Sequence, residues 1–545
     1  MSKIKIFGMG GLDENGKNTY IVEVDNKIFI FDAGLKYASD SNFGIDYIIP
    51  DYKYLVDNRK RIVGVFVTHA HPESYGGVSD LIKNIPEIKV YGLKYTINQL
   101  ILDGVSEKNL HVLMPHKKIN FTKELSIFPI TVNHSVPDSC MYVLNTPDGA
   151  IVYTGDFIID PSMMGAYHMD LGKIAYVGKQ GVLALLGESS FAENIGHTSP
   201  NHHLSSFFKK LIAKTDGRII FSVLPVHLYT IEGIFNAAKN SHRKVVVMGK
   251  KLQNIINMAI KENYINIEEG QIGDLSNVND HNSILLVSDD RSNAYNMFER
   301  IIAGNDKFIK LNEHDTVCFA EPKYDENEKA FVKVENELAI KGINTVSIPK
   351  DKGISLHASS EDIMIMLDLL KPKYYMPVKG EYRYMVRNAD LATNLGYNNN
   401  NIILKQNGDI INIIDKELVD KMEHINIDDT LIDGNSIEDI GDLVLKDREV
   451  LSENGIVLVS ATLSKKDKKI LVGPEITTRG FIYVKDSKEM IDEIKRISSE
   501  VIENNTTDKY IDFNNIKNDI RERLGKYFYV ETECKPMIIA VIQEI

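Results

Sequence analysis

The feature that most constrains this chain is the segment 65–77, where an apolar run ends at two histidines one residue apart. Residues 65–67 have the β-branched and aromatic character of a buried strand. His69 and His71 follow directly, and the pair Gly76-Gly77 comes shortly after them. Two imidazoles at the end of one strand are aimed at one point, and imidazole is a common ligand of transition metals. The sequence therefore predicts a metal position at the end of this strand.

Two later predicted strands also end at side chains that bind metals. His134 follows an apolar run that begins at residue 130, and Asp156 follows one that begins at residue 150. Either residue alone would more often be structural, but with the two earlier histidines they supply four ligands within one domain. Asp32 also closes a strand and is either a turn former or the group that orients a metal-bound histidine. The joint pattern predicts one metal held by His69, His71, His134 and Asp156.

The composition limits the classes of protein to which the chain can belong. With 545 residues, 43% of them hydrophobic and 26% charged, two or three soluble domains with sizeable cores are expected. No apolar run approaches the ~20 residues that cross a bilayer, and no signal peptide precedes the first strand pattern, so no membrane association is expected. Three widely separated cysteines do not predict a disulfide framework, which favours a reducing cytoplasm. A net charge of −13 argues against unspecific binding of nucleic acid but leaves room for a local basic groove.

Hydrophobic periodicity divides the chain into regions. Residues 1–200 are rich in strand patterns, including a hairpin around Asp25-Asn26. Strand and helix signals alternate between residues 201 and 349, which predicts a small parallel α/β domain. Residues 431–450 are polar and predict a linker. Residues 451–545 predict a small α+β module with two amphipathic helices, of the kind that usually mediates interactions.

The motifs of this chain, taken in order, resemble those of the bacterial ribonuclease J family, which are β-CASP nucleases of the metallo-β-lactamase superfamily. The resemblance covers essentially the whole chain. It is carried by Glu14-x-Gly16-Lys17-Asn18, Asp32-Ala33-Gly34, His69-x-His71, His134-Ser135-x-Pro137-Asp138-Ser139, Thr154-Gly155-Asp156, His357-Ala358-Ser359, Pro377-Val378-x-Gly380-Glu381-Tyr382-Arg383, Gly473-Pro474-Glu475-Ile476 and Arg479-Gly480-Phe481.

The resemblance implies an α/β fold class with three parts. Residues 1–200 and 350–430 would form a metallo-β-lactamase αββα sandwich, with a parallel α/β β-CASP domain inserted at residues 201–349. The linker at 431–450 would lead to an α+β C-terminal domain at 451–545, which mediates dimerisation in the family. Periodicity alone does not predict that the chain returns to the first domain. Family members use two metals to hydrolyse RNA phosphodiesters, as 5′-to-3′ exonucleases and in some cases as endonucleases.

The second metal position of the family is degraded in this chain. The complete motif reads His-x-His-x-Asp-His, and a later histidine adds a further ligand; Glu73, Ser74 and Lys379 stand at these three places. An ammonium group has donors only and cannot bind a metal. Two unit charges ~4 Å apart repel by about 4 kcal/mol at an effective dielectric constant of ~20, and a divalent ion roughly doubles this. We therefore expect zinc or manganese, at most one per chain and weakly held, or no metal at all.

The resemblance also implies which residues act on RNA. Asp156, Glu188 and His357 would be catalytic, although Glu188 is as well explained as a carboxylate that merely follows a strand. His357, Ala358 and Ser359 would contact the scissile phosphate. Val226 replaces a serine in a segment that forms a phosphate pocket in the family. The cations of residues 371–387 form either a solvated face or a track for the RNA backbone; they are Lys371, Lys373, Arg383 and Arg387.

These expectations leave three functions open. The leading hypothesis is an RNA-processing subunit of the cytoplasm, involved in rRNA maturation and mRNA decay, with weak or lost nuclease activity. It would bind RNA and form a hetero-oligomer with an active ribonuclease J paralogue, a homodimer being the other arrangement. The second hypothesis is a self-sufficient hydrolase with one metal on His69, His71, His134 and Asp156. The third is a structural scaffold without RNA contact.

Overall fold

The structure, a computed structural model, describes residues 2–38, 44–239, 241–288, 295–322, 328–349, 352–353, 355–434, 442–481, 488–506 and 511–545. These residues form two compact units. The first unit consists of the segments up to Ala38 and from Asp46 to Leu431, and the second consists mainly of the segment from Ile432 to Ile545.

Twenty-two of the described strands belong to the first unit, and five of them precede its first α-helix. In chain order the strands are β1 (Lys3–Gly10), β2 (Thr19–Val24), β3 (Lys27–Phe31), β4 (Lys36–Tyr37), β5 (Tyr47–Pro50), β6 (Ile62–Phe66), β7 (Val90–Gly92), β8 (Leu110–Val112), β9 (Ile119–Asn120), β10 (Ser126–Thr131), β11 (Cys140–Thr146), β12 (Gly149–Tyr153), β13 (Val182–Glu188), β14 (Ile219–Ser222), β15 (Val245–Val247), β16 (Ile284–Val287), β17 (Thr316–Phe319), β18 (Asn344–Ser347), β19 (Tyr374–Val378), β20 (Asp409–Ile414), β21 (Glu417–His424) and β22 (Asp429–Ile432).

The helices of the first unit are mostly short and amphipathic. In chain order they are α1 (Lys53–Asp57), α2 (Pro72–Tyr75), α3 (Val78–Asn84), α4 (Lys94–Leu102), α5 (Leu171–Gln180), α6 (Ser205–Lys214), α7 (Leu228–Ala238), α8 (Lys250–Lys261), α9 (Asn296–Ile302), α10 (Glu328–Ile340), α11 (Ser360–Leu370) and α12 (Tyr382–Asn394).

Two large sheets form the sandwich of the first unit. One has the strand order β21-β20-β1-β2-β3-β6-β7-β8, and the other has the order β19-β13-β12-β11-β10-β9. Aromatic side chains fill the space between them: Phe31 lies 6.1 Å from Tyr142 and 5.9 Å from Tyr153 between ring centroids. Such rings bury large apolar areas, so they dominate the stability of this core. On its other face the second sheet is covered by α5 and α11.

A five-stranded parallel sheet forms the inserted part of the first unit. Its order is β15-β16-β14-β17-β18, and all of its pairs are parallel. Strands of a parallel sheet are covered on both faces, which explains why residues 219–221 and 284–287 are apolar without alternation and buried. After this insertion the chain returns to the sandwich, because β19 pairs with β13 and β20 pairs with β1. The predicted fold class is confirmed.

The second unit is a small α+β module. Its elements are α13 (Asp442–Asn454), β23 (Ile456–Leu463), β24 (Ile470–Arg479), α14 (Lys488–Asn504), α15 (Phe513–Thr532) and β25 (Met537–Glu544). The sheet has the order β24-β23-β25, and the apolar stripes of α14 and α15 are buried in its core.

The sequence analysis did not foresee α13, which lies partly within the segment described as a linker. Its composition is polar, and it lacks the apolar stripe from which an amphipathic helix is predicted. Among the described helices of the whole chain, none combines the length and the apolar character that crossing a membrane requires.

Candidate metal centre

The four residues predicted to bind one metal lie just beyond the ends of strands in the sandwich. His69 and His71 follow β6, His134 follows β10, and Asp156 follows β12. All four side chains are almost completely buried. One ligand atom from each can be chosen so that all four atoms lie within 4.8 Å of one another. The structure therefore brings these residues together at one point.

The distances between these atoms match those of a metal site. Nδ1 of His71 lies 3.2 Å from Nε2 of His134, and Nε2 of His69 lies 3.4 Å from Oδ2 of Asp156. Nε2 of His134 lies 3.8 Å from the same carboxylate oxygen. Zinc bonds of about 2.0–2.1 Å in tetrahedral geometry place ligand atoms about 3.3–3.4 Å apart. The present spacing is therefore close to what one ion requires.

In each imidazole, the nitrogen that faces away from the cluster (the outward nitrogen) contacts another group of the protein. The other nitrogen therefore faces the centre of the cluster. Nδ1 of His134 donates to the carbonyl of Leu356, at 2.8 Å. Nε2 of His71 donates to the carbonyl of Val226, at 3.2 Å. Nδ1 of His69 lies 2.9 Å from the Thr68 hydroxyl. Outer contacts of this kind fix the tautomer and the ring orientation of metal-binding histidines.

Asp32 holds the segment that carries His69. Its carboxylate accepts hydrogen bonds from the Thr68 amide at 2.7 Å, from the Thr68 hydroxyl at 3.0 Å and from the Tyr153 hydroxyl at 2.7 Å. Burial raises the pKa of Asp32 to about 6, against the lowering effects of His69 and these hydrogen bonds. The contact through Thr68 is the arrangement expected of a group that orients a metal-bound histidine.

Two buried atoms at this centre still have capacity for a ligand. Nε2 of His69 and Oδ1 of Asp156 make no hydrogen bond within the part of the chain that the structure describes. Nearly all buried polar atoms in proteins have a partner, so such a pair points to a bound group. Burial and the neighbouring imidazoles lower the pKa of His71 and His134, so these rings are neutral and able to bind a metal. The four residues therefore fit one zinc or manganese ion.

Lys379, which the resemblance places at a second metal position, brings a charged side chain to Asp156. Lys379 follows β19, is buried, and donates a hydrogen bond from Nζ to Oδ2 of Asp156. Burial alone would lower the pKa of Lys379, but Asp156, Glu73 and Glu188 raise it, so the ammonium stays charged. The carboxylate that two metals would share is thus paired with a cation of the chain. These residues do not fit a second metal.

The other two positions of the degraded motif differ in what they offer a metal, because a glutamate carboxylate can bind one and a serine hydroxyl binds poorly. Oε1 of Glu73 lies 3.8 Å from Nδ1 of His71, near the first metal position. The Ser74 hydroxyl is buried and accepts a hydrogen bond from the Asn18 side chain at 3.4 Å. A neutral hydroxyl is in any case a weak ligand compared with the imidazole that the family has there.

Glu188, which is buried, and His357, which is partly buried, form a pair beside Asp156. Oε2 of Glu188 lies 2.9 Å from Nδ1 of His357, and this nitrogen lies 3.6 Å from Oδ2 of Asp156. Oε1 of Glu188 accepts from the amides of Phe157 and Ala358. Burial alone would lower the pKa of His357, but Glu188 and Asp156 raise it. Glu188 is therefore not a surface carboxylate: it holds His357 and the loop that follows Asp156.

The remaining substrate residues predicted from the sequence are engaged within the protein. Ala358 is buried, and its amide belongs to the Glu188 network. The Ser359 hydroxyl lies 2.8 Å from the Thr198 hydroxyl, and its amide donates to Asp362 at the start of α11. His357 remains partly exposed, with 17% of its side-chain surface accessible. Of these three, His357 alone presents a polar side chain that is partly open to solvent.

The predicted basic track is neutralised locally. Each of its four cations has a carboxylate within 4.0 Å, and most of the groups involved are exposed. The pairs are Lys371–Asp368 at 3.6 Å, Lys373–Glu417 at 2.8 Å, Arg383–Glu381 at 2.7 Å and Arg387–Asp390 at 4.0 Å. Exposed pairs of this kind add little stability, but they reduce the positive field that would attract RNA phosphates.

Sequence reasoning missed the groups that orient the histidines. Thr68 and Tyr153 lie at strand ends, and the hydroxyl of each contacts Asp32. The contacts from Leu356 and Val226 are made by backbone carbonyls, for which no side-chain motif exists. The resemblance came close to both groups, because it names Val226 itself and His357, which follows Leu356 in the chain.

Comparison with protein families finds matches along most of the chain. Residues 12–163 match the metallo-β-lactamase superfamily, and residues 216–338 match the ribonuclease J β-CASP domain. Residues 350–403 match the Zn-dependent metallo-hydrolase RNA specificity domain, and residues 443–545 match the ribonuclease J C-terminal domain.

Relatives of nearly the same length are found among curated proteins. Ribonuclease J 2 of Staphylococcus epidermidis is 33% identical over 552 residues, which cover 99% of this chain and 98% of that protein. Ribonuclease J 2 of Staphylococcus aureus is 32% identical over 550 residues, with the same shares covered. A crystal structure of a protein of unknown function from Enterococcus faecalis superposes with a TM-score of 0.52 at 16% identity, covering 75% of this chain and all of that one. This last likeness concerns the fold alone.

Proposed function

The chain belongs to the ribonuclease J family, and from that premise we propose that it is an RNA-processing subunit whose own RNA cleavage is weak or lost. In this proposal it acts in the cytoplasm on precursors of rRNA and on mRNA. An active paralogue, bound in a hetero-oligomer, supplies most of the hydrolysis.

One observation carries the proposal: the Lys379 ammonium group is paired with Asp156 at the second metal position. Two-metal hydrolysis needs one ion beside the attacking oxygen and one beside the leaving oxygen. A buried lysine can balance the charge of Asp156, but it offers no open coordination position to a water or a phosphate oxygen. We infer that Lys379 balances the charge of Asp156, while the centre lacks the second ion that would bind the reacting phosphate.

The other residues retain part of the machinery. His69, His71, His134 and Asp156 would hold one zinc or manganese ion, which when bound would supply Lewis acidity toward a phosphoryl oxygen. Glu188 orients His357 and favours its protonated form. A protonated imidazole at the edge of the site can donate a hydrogen bond to a phosphate oxygen. These groups support binding of an RNA phosphate more directly than fast cleavage.

A self-sufficient hydrolase with one metal is the second candidate function. The observation that favours it is the complete set of four ligand atoms, each ring with its outward nitrogen occupied. An ion held there would be enough to polarise a phosphate, although without the second clamp. The two candidates differ in whether the chain alone cleaves RNA.

The test compares cleavage of RNA that carries a 5′ monophosphate, with manganese present, by three samples: the chain alone, an active paralogue alone and a mixture of the two. We expect little cleavage by the chain alone and more cleavage by the mixture than by the paralogue alone. Rapid cleavage by the chain alone, abolished in His71→Ala, would contradict this proposal and favour the one-metal hydrolase. A mixture no more active than the paralogue would contradict the role as a subunit.

Assembly through the second unit is part of the proposal. This unit has its own apolar core but is small, and it exposes apolar side chains on β24 and α15: Leu471, Val472, Tyr529 and Val530. Exposed apolar side chains of this size supply area that a partner can cover. A chain truncated before residue 442 should form the hetero-oligomer, or the homodimer, more weakly in size-exclusion chromatography with light scattering. Equal assembly of the truncated chain would show that this unit is not an interface.

A further inference from the structure

A second group of metal-binding side chains lies outside the centre described above. Asp160 comes shortly after β12, whereas His202 and His203 come just before α6, where the chain begins the inserted part. Nε2 of His202 lies 3.0 Å from Oδ2 of Asp160, and Nε2 of His203 lies 2.6 Å from the same oxygen. One ligand atom from each of the three residues lies within 4.8 Å of the others. Two segments more than forty residues apart therefore converge on one carboxylate oxygen.

The carboxylate at this point is held in place by its neighbours. The Asp160 amide donates to the side-chain oxygen of Asn133 at 2.9 Å, and Oδ1 of Asp160 accepts from the Ser162 amide at 2.8 Å. Oδ1 is thus used by the backbone, and Oδ2 is left to the two histidines. Burial alone would raise the pKa of Asp160, but hydrogen bonds from Ser162 and His203 lower it to about 2. The group is a fixed carboxylate at neutral pH.

His202 gives an independent sign of a ligand. Its side chain is fully buried and lies near the Thr198 backbone, and its Nε2 lies 3.0 Å from Oδ2 of Asp160 without the geometry of a hydrogen bond to any residue that the structure describes. The ring borders a cavity of about 240 Å³ that is also lined by Tyr167, Tyr229 and Glu232. A buried ring nitrogen that faces a carboxylate without bonding to it is unfavourable unless something else binds both.

We propose that Asp160, His202 and His203 bind a divalent transition metal, with zinc the best match. Two imidazoles and one carboxylate are a common donor set for zinc. Tetrahedral zinc would space these atoms about 3.3 Å apart, so the present distances need only a small expansion. Burial and the nearby His203 lower the pKa of His202 to about 4, which keeps its ring in the neutral form that binds metals. The His203 side chain is 39% exposed and gives the ion a route from solvent.

An ion at this point would connect two parts of the first unit. Asp160 is tied through Asn133 to the segment that carries His134, and the two histidines precede the first helix of the insertion. The ion would therefore hold the start of the insertion against the sandwich without contacting the proposed catalytic groups. This site does not depend on the proposed function. The expectation of at most one metal per chain then applies to the catalytic centre alone.

The test measures zinc bound by the full-length chain after equilibrium dialysis against zinc alone, for the unmodified protein, His203→Ala and Asp160→Asn. Each variant should bind about one equivalent fewer than the unmodified chain. His281→Ala, which removes an exposed histidine of the same unit, is the matched control and should bind as much zinc as the unmodified chain. His203→Ala changes a partly exposed side chain, so it should fold even if Asp160→Asn does not.

Anomalous diffraction at the zinc edge from crystals of the unmodified chain gives a second readout. We expect a peak between Asp160, His202 and His203, separate from any peak at the catalytic centre. Equal zinc content in His203→Ala and the unmodified chain would overturn the proposal. So would a zinc peak at the catalytic centre with none at these three residues.

Discussion

The two metal positions of the centre share Asp156 but differ in every other respect. At the first position three imidazoles each have one nitrogen occupied by a group outside the site, and their other nitrogens converge. At the position that the resemblance assigns to a second metal stand Glu73, Ser74 and Lys379, and the lysine is paired with Asp156. The first position has its metal-binding side chains and the groups that orient them. The second position has a lysine ammonium group in place of a metal-binding side chain.

This difference teaches how the charge of Asp156 can be balanced by a side chain in place of a second ion. A buried carboxylate without a partner would be strongly destabilising, so Asp156 needs a cation whether or not metal is present. Lys379 provides one permanently, because the surrounding carboxylates keep it charged against the effect of burial. The charge balance of Asp156 thereby does not depend on a second metal. In the proposed function, catalysis by two metals is lost in this exchange.

The largest effect should come from removing the cation of the second position. Lys379→Met leaves Asp156 buried without its partner, and we expect a loss of about 3–5 kcal/mol in the free energy of unfolding at pH 7 in the presence of a chelator. Manganese or zinc should restore part of this loss, since a metal cation can replace the ammonium. The measurement is urea unfolding followed by circular dichroism.

Lys373→Met is the matched control for that experiment. Lys373 is also paired with a carboxylate, Glu417, but at the surface, so its removal should leave the unfolding midpoint nearly unchanged. If the two variants unfold alike, Lys379 does not balance the charge of Asp156 and the contrast between the two positions fails.

The folded centre could be predicted from the sequence only where side chains form a motif. His69, His71, His134 and Asp156 end strands in a recognisable order, and the structure places them together. The supporting carbonyl of Val226 belongs to the inserted part, more than 150 residues from the ring that it contacts. A backbone group has no residue-type signature, so such contacts are invisible before the fold is known.

The same reason explains which parts of the fold were foreseen. Helices with a buried face were predicted from their periodicity, as for α14 and α15. The polar α13 has no such face, so periodicity does not predict it. The convergence of Asp160 with His202 and His203 depends on how the insertion leaves the sandwich, which periodicity does not encode.

The second largest effect should be the stabilisation of the folded chain by zinc bound at the first position. A ligand at a hundred times its dissociation constant stabilises the folded state by about 2.7 kcal/mol. We expect zinc to raise the unfolding temperature of His203→Ala, in which the other proposed site is removed, and not that of the double variant His71→Ala/His203→Ala. Differential scanning fluorimetry with and without zinc measures this. A similar zinc-dependent increase in both proteins would show that the first position is not the site of binding.

A smaller effect is expected from the group that supports His69. Asp32→Asn replaces a carboxylate that accepts three hydrogen bonds around Thr68, and it should weaken zinc binding at the first position by roughly 10- to 100-fold. Asp80→Asn is a suitable control, because Asp80 is another buried aspartate that accepts from a tyrosine hydroxyl. Calorimetric titration of both variants in the His203→Ala background separates this effect from the other site. Equal affinity of the two variants would mean that Asp32 serves the fold alone.

The smallest effect, and the sharpest test of the contrast, is the attempt to rebuild the second position. Lys379→His alone should not increase cleavage of RNA carrying a 5′ monophosphate, because the second metal would still lack two ligands. Glu73→Asp, Ser74→His and Lys379→His together should increase cleavage roughly tenfold or more, since groups that act as one unit are strongly non-additive. The gain stays limited if the residues that position RNA, such as the segment around Val226, also differ from those of active relatives. Rates are compared with manganese for all single, double and triple variants. If the single Lys379→His variant gains as much activity as the triple variant, the lysine alone separates the two positions, and Glu73 and Ser74 are not part of the defect.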